Sequence, residues 1–268
     1  MRPQRAAAGA AGAAGAAATA LSFSASASDD HVHPPALNWN HKGFFSGFDH
    51  ASIRRGHQVY QEVCASCHSM DLIAYRNLVG VAYSEEELKA MAAEQDVEGG
   101  PNAEGEMFLR PGKLSDRLPR PYPNNEAGAS ANGGALPPDL SLITKARHGG
   151  EDYVFALLTG YHEQPAGLPP ARDGQYYNPY FPGGYLAMPG PLIDNGQVEY
   201  ADGTPATMSQ MAKDVSTFLA WAANPELEER KQFGIKTLAT LGFMFTMTAY
   251  YKRFRWASLK TRKISYKF

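Results

Sequence analysis

Two stretches of the chain repeat apolar residues at helical spacing. In the first, Ile53, Gly56, Val59, Tyr60 and Val63 recur three or four apart, with Asp49 placed to cap the start. In the second, Met211, Val215, Phe218, Leu219 and Ala222 do the same. Its start is either Thr204–Pro205 or Thr207 with Gln210, and Asn224–Pro225 stops it. A third pattern differs in kind: "FGIKTLATLGFMFTMTAYY", residues 233–251, is apolar on every side apart from Lys236, one turn from its end. At ~1.5 Å per residue this segment gives a helix of roughly 28 Å, close to the ~30 Å hydrocarbon core of a bilayer. Lys236 can snorkel to the interface, and the aromatic rings at both ends suit a membrane boundary. Elsewhere 19 prolines and 26 glycines interrupt the pattern, so loops dominate. Residues 132–161 mix tight turns with a short helix, and residues 164–184 form an aromatic-rich loop. The pattern predicts a mainly α chain with long loop insertions and one C-terminal transmembrane helix.

Charge adds an orientation. The formal net charge of -2 conceals a segregation, because seven cations and no acid follow the apolar segment: Lys252, Arg253, Arg255, Lys260, Arg262, Lys263 and Lys267. All 27 acids fall in residues 29–251, against 16 of the 25 bases once that tail and Arg2 and Arg5 are set aside. The positive-inside rule puts such a tail on the cytoplasmic or matrix side and the acidic domain on the opposite face, periplasm or intermembrane space. Residues 1–28 carry two arginines, no acid and otherwise small residues, a composition that reads as a cleaved targeting presequence. The expected layout is therefore presequence 1–28, a globular domain over 29–232, a membrane helix over 233–251 and a basic tail over 252–268. Within the domain, residues 84–106 hold eight acids and only Lys89. Such a run is either a plain solvated face or a dock for a basic partner, whose association it would accelerate.

The chemistry lies in "QEVCASCHSM", residues 61–70, which contains both cysteines of the chain. Two cysteines make no disulfide framework, and a structural zinc site wants four N or S ligands. A redox Cys-x-x-Cys needs no histidine after it. Cys-x-x-Cys-His does have a specific use: the two thiols add to haem vinyl groups and the histidine becomes an axial iron ligand. On a helix, Cys64 and Cys67 would share a face, with His68 beside them. For the opposite axial position, Met188 is the candidate, in the Pro-, Gly- and aromatic-rich loop "PYFPGGYLAMPGPL". Met70 is too near His68. Met91, Met208 and Met211 fall in helical patterns, Met244 and Met247 in the apolar segment, and Met107 in a charged stretch. His50, His57, His148 or His162 would instead give bis-histidine ligation. Arg147 is either a partner for a haem propionate or a plain surface arginine. A helix into Cys-x-x-Cys-His, a methionine loop and a closing helix is the layout of a class I c-type cytochrome, here widened by long insertions.

Longer strings narrow the resemblance. "DHASIRRGHQVYQEVCASCHSM", "RPGKLSDRLPRPYPNNEA", "ANGGALPPDLSLITKARHGGEDYVFALLTGY", "YNPYFPGG", "MPGPL", "DGTPATMSQMAKDV" and "WAANPELEERK" resemble the cytochrome c1 family over most of residues 40–268. That resemblance implies one covalent haem c on Cys64 and Cys67, with His68 and Met188 as axial ligands. It further implies Arg147 at a propionate, and Asn132, Pro138 and Tyr153 lining the haem pocket. The implied activity is carriage of one electron from a Rieske iron–sulfur protein to soluble cytochrome c, as the redox subunit of quinol–cytochrome c reductase. No quinol site and no general acid or base are expected. The implied partners are cytochrome b, a small acidic hinge-type subunit and membrane lipid, in a dimeric complex, with no nucleic acid. The implied place is the mitochondrial inner membrane, with the haem domain in the intermembrane space. The alternative activity is that of a membrane-anchored haem peroxidase, which needs an open axial position under acid–base groups.

Overall fold

The structure, a computed structural model, describes residues 32–265. The expected presequence lies outside the described residues, as does Lys267 of the tail.

Helix α1, His50–Val59, starts where the Asp49 carboxylate accepts hydrogen bonds from the Ala51 and Ser52 N–H groups. Helix α2, Glu85–Ala93, is capped by Ser84, and α3 is the short Asn125–Ala131. Helix α4 covers Glu151–Thr159, α5 Met208–Ala223 and α6 Leu227–Lys260. Of the two starts the sequence offered α5, the structure uses Thr207, whose hydroxyl accepts from the Gln210 N–H at 3.2 Å. Two antiparallel ribbons complete the chain. Strand β1, Asp96–Glu98, pairs with β2, Leu109–Pro111, and β3, Tyr176–Tyr177, pairs with β4, Tyr185–Leu186.

The core is the crossing of α1 and α5, with α4 packed on α5. Ile53, Gly56, Val59 and Tyr60 meet Met211, Val215, Phe218, Leu219 and Ala222, all buried, so both apolar stripes turn inward. Gly56 sets the approach: a Cβ there would stand 2.1 Å from the Asp214 carbonyl oxygen. Beside it the fully buried Asp214 carboxylate takes hydrogen bonds from Ser52 Oγ at 2.5 Å, Arg55 Nε at 2.8 Å and Gln210 Nε2 at 2.9 Å. A buried carboxylate needs this set, since losing its partners would leave an uncompensated charge. The segment before α1 straps α4: Trp39 Nε1 donates to Asp152, and Lys42 bridges Glu151 and Asp152.

Helix α6 departs from expectation. It is 34 residues long and so runs past both bounds of the apolar segment, into the basic tail. Among the described residues no helix is both long and apolar enough to cross a membrane. Lys236 and the threonines at 237, 240, 246 and 248 dilute the apolar character of this one.

The acidic run is exposed, and two of its acids have partners. Glu87 closes a reciprocal cap with Ser84 and pairs with Arg54 at 2.8 Å, while Glu85 pairs with Lys89. The Arg54 hydrogen bond, helped by Ser84, holds the Glu87 carboxyl down at about 2. Glu87 thus serves the fold, while Glu86, equally exposed, makes no close ion pair among the described residues and meets Lys89 only through its charge.

Candidate haem site

Helix α1 does not run on as an α-helix into the cysteines. Residues Tyr60–Cys64 form a π-turn, closed by the Ala65 N–H donating to the Tyr60 carbonyl at 2.8 Å. Such a wide turn is an extra residue accommodated inside a helix, and it is frequent at functional sites. Beyond it the chain curls tightly, with Cys67 N–H at 3.1 Å and His68 N–H at 2.9 Å both donating to the Cys64 carbonyl. The helical face expected for Cys64, Cys67 and His68 is thus a single turn. Both cysteines are half-buried free thiols. Burial, with Cys67 alongside, pushes the Cys64 thiol up to about 12. A raised thiol is the opposite of what thiolate redox chemistry requires.

His68 is held from two sides. Its carbonyl accepts from Tyr60 Oη at 3.0 Å, and its Nδ1 lies 2.8 Å from the Pro138 carbonyl. A carbonyl only accepts, so Nδ1 carries the proton and Nε2 keeps its lone pair. Burial pushes the imidazole pKa down, against the opposing pull of Pro138 and Asp139, which favours this neutral form. Asp139 fixes the loop that presents Pro138. Its carboxylate accepts from Ser69 Oγ at 3.0 Å, Asp71 N–H at 2.7 Å and Ser141 N–H at 2.9 Å. Burial pushes Asp139 up, and these hydrogen bonds outweigh it, so the carboxyl is held low. Sequence reasoning missed Asp139, although Pro-Pro-Asp-Leu-Ser is a turn signal with an Asx cap.

The second cluster hangs on α4. Gly149 and Gly150, at φ +83° and +54°, let the chain turn into the helix just after Arg147. Arg147 is exposed and donates to the Ala146 carbonyl at 3.0 Å, with its charge near the hydroxyl of the buried Tyr153. Burial raises the Tyr153 pKa, and Arg147 opposes the rise. Just past the end of α4, Tyr161 donates to the Met188 carbonyl at 3.1 Å. The buried Asn178 donates to the Leu157 carbonyl at 2.8 Å, so the β3–β4 ribbon that leads to Met188 is pinned to α4. Met188 itself is half-buried. Tyr161 and Asn178 were also missed, because both act over 21 or more positions of the chain.

Of the remaining candidates, Asn132 ends α3 and donates to Tyr122 Oη at 3.0 Å and the Gly128 carbonyl at 2.8 Å. Tyr122, with Arg120, Leu136 and Pro137, lines a cleft beside Cys67. The structure thus joins His68 to Pro138, Met188 to α4 and Asn132 to the Cys67 cleft, with Arg147 near Tyr153. His57 is fully buried in the α1–α5 core, edge-on to Tyr83 and Phe218, each at 5.3 Å. His50 bonds the Val81 carbonyl, and His148 and His162 are exposed. Met107 is 61% exposed beside β2.

The donor set fits a c-type haem. Two unpaired thiols stand three positions apart, followed by a neutral imidazole whose Nδ1 is committed to a backbone carbonyl and whose Nε2 is open, as is usual for a histidine that binds metal. Among the described residues no group of three or more His, Cys, Asp or Glu side chains is placed to hold a metal ion, which disfavours the zinc reading. The loops that carry these residues also expose Leu136, Leu142 and Ile193, aliphatic surface that a flat apolar macrocycle would cover.

Comparison with known proteins agrees. The chain matches the Cytochrome C1 family over residues 39–259. It is 62% identical to "Cytochrome c1-2, heme protein, mitochondrial" of Solanum tuberosum, over 91% of this chain and 95% of that protein. It is 56% identical to "Cytochrome c1, heme protein, mitochondrial" of Saccharomyces cerevisiae, over 91% and 79%. It is also 56% identical to "Cytochrome b-c1 complex catalytic subunit, mitochondrial" of Candida albicans, over 90% and 83%. With most of its length inside that match, and identities far above those of distant relatives, the chain belongs to the cytochrome c1 family.

Proposed function

We propose that the chain is the electron-carrying subunit of a mitochondrial cytochrome b–c1 complex. When bound, its c-type haem supplies a one-electron iron couple. Cys64 and Cys67 would hold the macrocycle by thioether bonds, and His68 Nε2 and Met188 Sδ would bind its iron. The Pro138 carbonyl, fixed by Asp139, orients the His68 ring and strengthens it as a donor. Tyr161 holds the Met188 backbone, so the thioether is offered from a fixed loop. Arg147, exposed beside Tyr153, would pair with a propionate, and Asn132 keeps Tyr122 at the cleft. The observation that carries this reading is His68: neutral, pinned through Nδ1 and open at Nε2, directly after two unpaired cysteines.

The electron donor is a Rieske iron–sulfur protein and the acceptor a soluble, basic cytochrome c. Cytochrome b, an acidic hinge-type subunit and a second copy of the assembly complete the partners. Nothing in the comparisons supports a peroxidase. Helix α6 anchors the chain in the inner membrane, with the 29–232 domain in the intermembrane space and the 252–268 tail in the matrix. Three features favour that anchor. None of the helix's residues is buried against the domain. The Thr240, Thr246 and Thr248 hydroxyls donate to the carbonyls of Lys236, Gly242 and Met244, so they carry no unsatisfied donor into lipid. A cationic run follows.

Redox titration with absorption spectroscopy tests the assignment. Met188→Ala should lower the reduction potential and let carbon monoxide bind the reduced protein, while Met107→Ala does neither. The opposite pattern reassigns the ligand, and the absence of a pyridine-haemochrome spectrum removes the function.

A further inference from the structure

Just before α1 the chain makes a tight turn, Gly43-Phe44-Phe45-Ser46, closed by the Ser46 N–H donating to the Gly43 carbonyl. Two aromatic rings stand out from it. Phe44 is 63% exposed and Phe45 85%, and they meet edge to face at 4.7 Å. Residues 43–48 contain no charged side chain. The base of the turn is rigid, because Phe48 is buried and stacks on His41 at 4.5 Å. Nothing in the described chain covers the tip.

What lies beside the turn is the head of α6. The Lys231 ammonium donates to three carbonyls of the loop, those of His41 at 2.6 Å, Gly43 at 2.7 Å and Ser46 at 2.9 Å. One turn earlier, Glu228 accepts from the Phe48 N–H at 2.7 Å. The loop is thereby latched to α6 just where the apolar segment begins. Phe233, 72% exposed, is two residues beyond Lys231, a rise of ~3 Å along the helix. The latch solvates the Lys231 ammonium with three carbonyl dipoles and turns it into the loop, whose residues 43–48 carry no charge of their own.

We propose that the Phe44–Phe45 turn is a second membrane contact: both rings sink into the headgroup–acyl boundary of the leaflet that α6 enters. This rests on the reading of α6 as the membrane anchor. Aromatic rings favour that boundary, and a preformed turn loses little freedom on entering it. The need is physical as well. A helix diluted by Lys236 and several threonines has less apolar surface to fix its depth and tilt, which flanking aromatic residues at the interface set. The turn, latched to the head of α6, fixes how that helix enters the bilayer.

The test uses the full haem-loaded chain in phosphatidylcholine liposomes. Cys64 and Cys67 are consumed by the haem, so one introduced cysteine takes one nitroxide label. Labels are placed in turn through Phe45→Cys, Phe44→Cys, Thr240→Cys and Ser115→Cys, and collision with oxygen is compared with collision with a water-soluble nickel chelate. The expected result is that the labels at 44, 45 and 240 relax with oxygen and the label at 115 with the chelate. Positions 44 and 45 should read ~5–10 Å deep, shallower than 240. If 240 favours oxygen but 44 and 45 favour the chelate, the anchor stands and the second contact is overturned. If 240 also favours the chelate, the anchor reading itself falls and takes the proposal with it. If, in the assembled complex in native membranes, neither reagent reaches 44 and 45, the turn docks on protein and the lipid contact is overturned.

Discussion

Replacing Gly56 by alanine probes the crossing on which the domain is built. A Cβ at that position would meet the Asp214 carbonyl oxygen at 2.1 Å, its carbon at 2.6 Å and Phe218 Cβ at 2.7 Å, where ordinary contact begins at 3.4 Å. Two of those atoms are backbone, so no rotamer change makes room. The helices must part by about 1 Å, loosening contacts all along the seam. Parting also pulls Asp214 away from Ser52 and Arg55 on the facing helix. Overpacking of a filled core costs ~1–3 kcal/mol, and this site belongs at the upper end. Alanine returns ~1 kcal/mol of helix propensity. The net is about 2 kcal/mol, or about 4–8 °C in the melting temperature of a domain this size. Thermal unfolding of the haem-loaded protein by circular dichroism measures it, with Gly100→Ala as control because that position is open on all sides. A Gly56→Ala protein that melts with the control, or above it, refutes the close crossing of α1 and α5.

His57 gives a pH test. Burial, with Arg54 nearby, pushes its pKa down to about 3, against 6.5 for a free histidine. Between those values the unfolded chain takes up a proton that the folded one refuses, so stability is full above pH 6.5 and falls as the pH drops. The slope is about 1.4 kcal/mol per pH unit for this one group. Denaturant midpoints from pH 6.5 to 5 should fall less steeply in His57→Gln, and an unchanged slope rejects the burial argument. Asp139→Ala should cost about 3 kcal/mol in lost hydrogen bonds. It should also raise the reduction potential, because a His68 ring no longer oriented by Pro138 donates less to the iron; an unmoved potential would make Asp139 a stabiliser only. Glu86→Gln should slow cytochrome c reduction at low salt, with the difference closing at high salt and the melting temperature unchanged. Glu87→Gln should lower the melting temperature, since Ser84 and Arg54 lose their shared partner. Equal melting temperatures for the two variants would contradict that division.

Helices α1 and α5 were legible because everything that makes them is local: an apolar stripe three and four apart, Asp49 and Thr207 at the starts, Asn224–Pro225 at the end. The Cys-x-x-Cys-His run is contiguous and so was visible for the same reason. The Ser84–Glu87 cap was also written in the sequence, as Ser-x-x-Glu, but the charge of the run drew attention from it. The helix α6 bounds were not readable, because polar Glu228 to Lys231 and the cations after Tyr251 continue a helix whose hydropathy stops short. Tyr161, Asn178 and Asp139 were hidden for a different reason. Each bonds a segment distant in the chain, and no periodicity within a window reveals such a partner.

The wide turn at Tyr60–Cys64 has a bearing on how chain length can vary in this domain. A π-turn stores one surplus residue in a single loop of helix while leaving what precedes and follows in phase. Deleting one residue between Tyr60 and Val63 would therefore relax the turn to ordinary helix and leave Cys64, Cys67 and His68 aimed as before. The same deletion earlier in α1, at Arg54 or Arg55, would rotate those residues by about 100° and part His68 from the Pro138 carbonyl.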